Sequence, residues 1–351
     1  MCKKLIYLTY LLILFTSCEE YYTPAIDNID GQLVVDAQIT NVATGNYVHL
    51  TKTRAFYAKL PAEPVMGAKV ELVEINGSSE LGNENGAGYF TFYTIPVSGK
   101  NYKLRITIGK DTYESEVVTM PPLPVITNFY TAHRVEKVYK TDGYGVPTAH
   151  EVQGREIYID APVTSALSHY RFNTRSIIEW SYNAPSTSGP PPPTIYGWKS
   201  IYTNSGFNLA GPKKFSAATD KIEQHPLLML SYNAQEYLNT DSIISHGWIL
   251  IIDQYGTSTG SFEYHEKLNS QFAADGSLFD PIQTQIYGNI TCITDPSKIA
   301  FGYFDLNSYQ QIRYFMNLSG PNSPVELRRL FRFPLIPDEG QTVGSYPSWW
   351  E

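Results

Sequence analysis

Cysteine is scarce in this 351-residue chain, dense charge is scarcer, and no cluster of metal-binding residue types occurs. The three cysteines are Cys2, Cys18 and Cys292. The first two fall inside and at the end of a leader-like segment, so Cys292 is the only ordinary one and no intrachain disulfide is expected. It lies in the apolar run Ile290, Thr291, Cys292, Ile293, which predicts a small buried hydrophobe rather than a nucleophile. Charged residues make up 17% of the chain, with 34 acids against 26 bases and no basic block, which excludes a nucleic-acid partner because affinity there comes from neutralising phosphates. The histidines, His49, His133, His150, His169, His225, His246 and His265, are scattered singly. His265 and Glu266 begin like a metalloprotease helix, but Asn269 occupies the place of the second ligand, so that zinc site fails. There is no phosphate-cradling glycine loop and no Gly-x-Ser-x-Gly elbow. Asp275, Gly276 and Ser277 lack the alternating ligands of a calcium loop and read as a turn. No catalytic residue, metal or cofactor is assigned. The paired carboxylates of a glycan-acting hydrolase are a spatial feature, and nothing in the sequence selects two of the 34 acids.

What is present begins at the N-terminus. Lys3 and Lys4 precede an apolar run over 5–15, and Thr16, Ser17 and Cys18 close it. That run has the length of a signal-peptide core, well short of the ~20 residues that span a bilayer. Leu14, Phe15, Thr16 and Ser17 before Cys18 resemble the bacterial lipobox, with Phe15 larger than the residue usual at its place. The resemblance implies removal of 1–17 and acyl chains on Cys18, several of which together anchor a protein stably. The alternative is an ordinary signal peptide cut elsewhere, giving a secreted protein. Glu19 and Glu20 resemble the acidic signal that sends Bacteroidota lipoproteins to the cell exterior; otherwise they open a solvated linker. Losing Lys3 and Lys4 takes the net charge from −8 to −10.

The rest predicts a mainly β protein. Aromatics reach 14%, including 27 tyrosines, and such side chains favour pleated surfaces. Residues 18–30, with Pro24, read as a lipidated tether. Over 31–120, short strands are expected at 32–40, 47–53, 68–75, 89–93, 102–108 and 112–118, several with clean alternation. Asn76-Gly77, Asn85-Gly86 and Ser98-Gly99 supply turns. These make an immunoglobulin-like antiparallel sandwich. Its stretches Gly67 to Leu72 in sequence, Gly88-Tyr89-Phe90 and Gly99 to Ile106 resemble transthyretin-like or carboxypeptidase-regulatory modules, which serve as spacers or docking units. Pro121, Pro122 and Pro124 predict a stiff linker over 121–125. A larger β-rich domain is expected over 126–351, with strands at 126–139, 155–160, 170–182, 194–202, 242–253, 285–294, 299–304 and 311–318. One helix is expected near 261–274, capped by Ser261, favoured by Glu263 and Glu266, aligned on Tyr264, Leu268 and Phe272, and ended by Asp275-Gly276.

Pro190 to Pro193 impose polyproline II on what reads as an exposed hairpin loop. Tyr196, Trp198, Tyr202, Trp180, Trp349 and Trp350 are the aromatic residues considered for stacking on sugars or gripping a protein, with Trp180 better explained as core. Asp241, Ser242 and Ile243 match a short O-glycosylation pattern of exported Bacteroidota proteins, which makes Ser242 a candidate acceptor; a strand start explains the same residues.

The run over 248–308 carries a more specific likeness. Trp248 to Tyr255, the helix with Tyr264 and Leu268, Phe279-Asp280-Pro281, Gly288-Asn289 and Gly302-Tyr303-Phe304 follow in an order that resembles a Bacteroidota family of outer-membrane lipoproteins known only as a domain of unknown function (4249). The resemblance implies a lipid anchor in the outer membrane, facing the exterior, and a non-enzymatic accessory or ligand-binding role beside a TonB-dependent transporter. The family lends no catalytic residue, and the signature residues carry no known role. Cysteines that many members have near the C-terminus are missing here. The alternatives are an adhesin or structural surface protein and, less favoured by the residues, a hydrolase.

Overall fold

The computed structural model describes residues 31–54, 60–141, 143, 145–183, 189–202, 206–212, 221–233, 244–273, 285–317, 326–330 and 338–347. The chain is mainly β, with one helix among the described residues. Short strands come first: β1 (Leu33–Thr40), β2 (Tyr47–Lys52), β3 (Glu63–Pro64), β4 (Lys69–Glu74), β5 (Ser79–Leu81), β6 (Asn83–Gly86), β7 (Tyr89–Thr91), β8 (Asn101–Ile108), β9 (Asp111–Ser115) and β10 (Val118–Thr119). Then come β11 (Asn128–Thr141), β12 (Pro147–Pro162), β13 (His169–Asn183), β14 (Thr194–Tyr202), β15 (Asn208–Ala210), β16 (Lys221–Ser231) and β17 (Ile244–Thr257). The helix α1 (Thr259–Phe272) is followed by β18 (Ile290–Cys292), β19 (Ala300–Asn317), β20 (Glu326–Leu330) and β21 (Glu339–Val343). No helix among the described residues is long and apolar enough to cross a membrane.

Alternation sets the first core. Leu33, Val35, Ala37 and Ile39 of β1 are buried, as are Tyr102, Leu104 and Ile106 of β8, because successive side chains of a strand point to opposite faces. Two sheets face this core. One contains β19-β1-β2-β7-β6 and the other β18-β9-β8-β4-β5. Ile290, Cys292, Ala300, Phe304 and Leu306 belong to it as well. The segment 31–120, expected to form a sandwich of its own strands, is therefore completed from the far end of the chain: β18 pairs antiparallel with β9, and β19 pairs parallel with β1. Cys292 is buried there, as its apolar run implied.

The strands expected at 299–304 and 311–318 are one strand, β19. Its first half, Ala300 to Asn307, pairs with β1, and its second half, Ser308 to Met316, pairs antiparallel with β17. One face of it feeds both cores, through Phe304 and Leu306 at one end and Tyr314 and Met316 at the other. Local polarity around Asn307 and Ser308 hides this continuity in the sequence. The proline linker lies against this pivot. Ser308 Oγ donates to Pro122 O at 2.6 Å and Gln310 Nε2 to Pro124 O at 2.7 Å. Prolines lack a donor but keep their carbonyls, so this linker docks onto the sheet it was expected only to precede.

The second core gathers β12, β13, β16, β17 and β19 around Ile157, Ile159, Phe172, Trp248, Leu250 and Ile252. Within the strand expected at 242–253, every residue from Gly247 to Ile252 is buried, whereas Ile244 is 60% exposed. β15, β16, β20 and β21 were not expected, and β12 is far longer than the expected 155–160. β11 and β12 form a hairpin paired from Asn128↔Asp160 to Thr141↔Pro147, but β16 accompanies β12 only from Gly154 onward. The outer part is an exposed two-stranded arm, with Tyr139 74% exposed.

The helix begins earlier than expected and shows a different face. Ser258, not Ser261, is its cap: extended backbone there lets its hydroxyl accept from Ser261 N at 3.2 Å. Its buried residues are Ser261 and His265, while Phe272 of the expected apolar stripe is 66% exposed. The physical reason is that the sheet beneath it presents charge. Asp275 and Gly276 lie outside the described residues.

Candidate functional site: the sheet face walled by the helix

The second face of β19 carries Tyr303, Asp305, Tyr309, Gln311 and Arg313, and α1 lies against it near Asp305. Arg171 of β13 and Asp305 are both about 5% exposed and form an ion pair, Nη1 to Oδ2 3.3 Å. Arg171 also donates from Nη2 to Gln38 Oε1 of β1 at 3.1 Å, and its guanidinium stacks 4.5 Å from the Tyr255 ring centre. Ser261 donates its hydroxyl to Asp305 Oδ1. His265 Nε2 stands 3.1 Å from Arg171 Nη1, which can only donate, so Nε2 accepts; Nδ1 then carries the proton and gives it to Ser261 O at 2.8 Å. Burial lowers the His265 pKa, with Asp305 opposing, and a neutral ring is what this pattern requires. Asn269, in the place of the absent metal ligand, brackets the backbone of Phe207 with 2.7 Å bonds to both its N–H and its C=O.

Serine, histidine and aspartate thus meet without forming a nucleophilic triad. The Ser261 proton goes to the Asp305 carboxylate and the accepting nitrogen of His265 is taken by Arg171, so the histidine has no free nitrogen to accept the serine proton. What the cluster does is fix α1 to β1, β13 and β19 by charge-assisted bonds whose geometry leaves one position for the helix.

The described signature residues explain themselves at the same seam. Gly302 has φ +88°, and a Cβ there would stand 1.9 Å from Val35 O; one on Gly288 would stand 1.4 Å from Gly302 O. Asn289, 4% exposed, accepts from Phe304 N at 2.8 Å and donates to Phe304 O at 3.2 Å, which supplies the edge of β19 with a partner made of a side chain. Phe304 fills the first core, and Tyr303 stacks on Tyr264 of α1 at 4.8 Å. Phe279, Asp280, Pro281, Ser242 and Cys18, with Trp349 and Trp350, lie outside the described residues.

Beside the helix, the outward face of the first sheet is open. Strand register places Tyr303, Asp36, His49 and Tyr89 in one row across β19, β1, β2 and β7. Gln38 and Tyr47 pair in the next row. Asp36 is exposed, and Tyr47 donates its hydroxyl to it at 3.3–3.4 Å. Burial, then the Asp36 charge, push the Tyr47 phenol up to about 12, so it remains a donor. His49 and Tyr89 stack at 3.8 Å with their planes 3° apart. A carboxylate thus forms the floor between aromatic walls, His49 and Tyr47 on one side and Tyr303 with Tyr264 on the other. None of Asp36, Tyr47, His49 and Tyr89 was singled out from the sequence for binding; the signal available was the outward-pointing Asp36, Tyr47 and His49 at alternating positions of two predicted strands.

Other places offer less. A cleft of about 610 Å³ between α1 and β16 holds His169, His225, Glu263 and Glu266, and one of about 850 Å³ exposes Arg175, Tyr202, Asp253 and Gln311. Of the aromatic residues considered earlier, Trp198 is buried, Trp180 packs on the second core, Tyr202 is half-exposed and Tyr196 packs against Tyr346 in a tilted pair at 4.1 Å. No group of three or more His, Cys, Asp or Glu among the described residues is placed to hold a metal ion.

This chain belongs to a family that its signature already resembled. The family model described as Domain of unknown function (DUF4249) matches residues 19–313, most of the chain and every described element from β1 through β18. No curated protein and no solved structure matches.

Proposed function

We propose that the protein is a lipid-anchored outer-membrane protein displayed on the cell exterior, where it serves as a non-enzymatic ligand-binding accessory of a TonB-dependent transporter. The observation that carries this reading is the leader: two lysines, an apolar core too short to span, and Leu14 to Ser17 directly before Cys18. Glu19 and Glu20 support display on the outside. Membership of the family is compatible with it and supplies no activity. Purification of the tagged protein from detergent-solubilised membranes tests it: a transporter is expected to accompany it, and recovery of the protein alone overturns the accessory role. Cys18→Ala is expected to release the protein from the membrane fraction; membrane retention of that variant overturns the anchor.

A second reading, an adhesin, is favoured by one observation, the exposed outer part of the β11–β12 hairpin, paired from Val135↔Gln153 to Thr141↔Pro147 and about 23 Å long at ~3.3 Å per residue. Binding of matrix proteins that is lost when the arm is shortened, with no transporter recovered, selects it.

A further inference from the structure

We propose that the slot over Asp36, between the His49 side and the Tyr264 side of the first sheet, is a binding site for a neutral saccharide. The inference deepens the ligand-binding reading above and rests on it for its biological use, though not for its test.

The dimensions come from the sheet. Tyr303 and His49 flank Asp36 on adjacent strands, so their attachment points stand about 9–10 Å apart, two strand spacings of ~4.8 Å. Tyr264 stacks 4.8 Å from the buried Tyr303 and takes up part of that span. A pyranose ring therefore lies with one apolar C–H face against the open face of His49, at roughly 3.5–4 Å, and its hydroxyls towards the floor. That floor has the right hydrogen-bonding capacity. Asp36 is an acceptor-only carboxylate with lone pairs left after accepting from Tyr47, suited to two neighbouring hydroxyls at once.

The walls are held before any ligand arrives, which lowers the cost of ordering them. His49 is backed by Tyr89, with one ring face consumed in that stack. Tyr264 is backed by Tyr303 on a helix fixed through the Arg171–Asp305 pair. The charge around the slot selects against anions. The outward positions of β1, β2 and β7 are Val34, Asp36, Gln38, Tyr47, His49, Thr51, Tyr89 and Thr91, without one lysine or arginine. Arg171, which reaches Gln38 of this face, is buried and paired with Asp305, so an acidic glycan would meet the Asp36 carboxylate without an unpaired cation beside it. A cation would be attracted to the carboxylate, but two parallel rings stacked on one another present one open face to the slot rather than a cage around a point charge.

The full-length lipidated protein in detergent is applied to an array of immobilised neutral and acidic glycans, and the strongest neutral binder is titrated by calorimetry, with spermine as the cationic probe. Binding to a neutral glycan is expected, weakened at least tenfold by Asp36→Ala and by His49→Ala, both surface changes with unchanged melting. Tyr139→Ala on the distant arm leaves it unchanged. Three results overturn the proposal: no neutral glycan bound, preference for acidic glycans or spermine, or binding that survives both substitutions. The array requires no transporter and the purification from membranes requires no glycan, so the two readings fail separately.

Discussion

Asp305 and Glu179 are buried carboxyls on one face of the same large sheet, and they were given opposite surroundings. Asp305 faces Arg171 and the Ser261 hydroxyl, with His265 closing the group. Glu179 on β13 is fully buried among Ile177, Trp198, Ile249 and Phe315, and neither of its oxygens has a hydrogen-bond partner among the described residues. Burial pushes its carboxyl up to about 8, with the Arg328 charge only partly opposing. The difference teaches that burial alone does not make a carboxylate a structural pin. At Asp305 the partners turn charge into position for a helix, while at Glu179 the protein keeps a neutral acid in an apolar pocket.

The strongest way to break this contrast is Asp305→Ala. It strands the Arg171 guanidinium in the interior, and a loss of about 3–5 kcal/mol in urea unfolding is expected. Replacing both partners, Arg171→Met with Asp305→Leu, is expected to cost less than the single change, since no charge is left uncompensated. A double variant weaker than Asp305→Ala would show that the pair stabilises the fold beyond avoiding a bare charge.

Glu179→Gln sharpens the other half. The folded protein holds the Glu179 proton up to about pH 8, whereas an unfolded chain releases it near the ordinary glutamate value of 4.5. The stability this group contributes is full below about pH 4.5 and is lost as pH rises towards 8. The glutamine variant loses that slope. It is expected to match the parent near pH 4.5 and to exceed it by about 3–3.5 kcal/mol at pH 7, from ~1.4 kcal/mol per pH unit crossed. Parallel pH profiles of the two proteins would contradict the assignment. The smallest effect is at the helix start, where Ser258→Ala removes the cap and is expected to cost about 1 kcal/mol in a way that does not vary with pH.

Much of this architecture could be read locally. Alternation in β4 and β8 located their buried residues, and the strand expected at 242–253 holds the buried run Gly247 to Ile252. The signature Gly288, Asn289 and Gly302 was visible, but its meaning was not, because a glycine required by a carbonyl 1.9 Å from its absent Cβ has no local sign. The helix shows the same limit. Tyr264, Leu268 and Phe272 have helical spacing, yet Ser261 and His265 go inward, since the surface they meet carries Asp305 and Arg171 from 44 and 94 positions away.

Sequence by itself determined the β class, the single described helix and the family to which residues 19–313 belong. These rest on period, composition and order along the chain. Only tertiary structure decided that β19 joins both cores, that residues after 290 close a sandwich begun at residue 33, and that Asp36 lies between aromatic walls. Those depend on which strands neighbour one another. Backbone pairing is the same for every residue type, so that choice is settled by the whole packed molecule rather than by any one stretch.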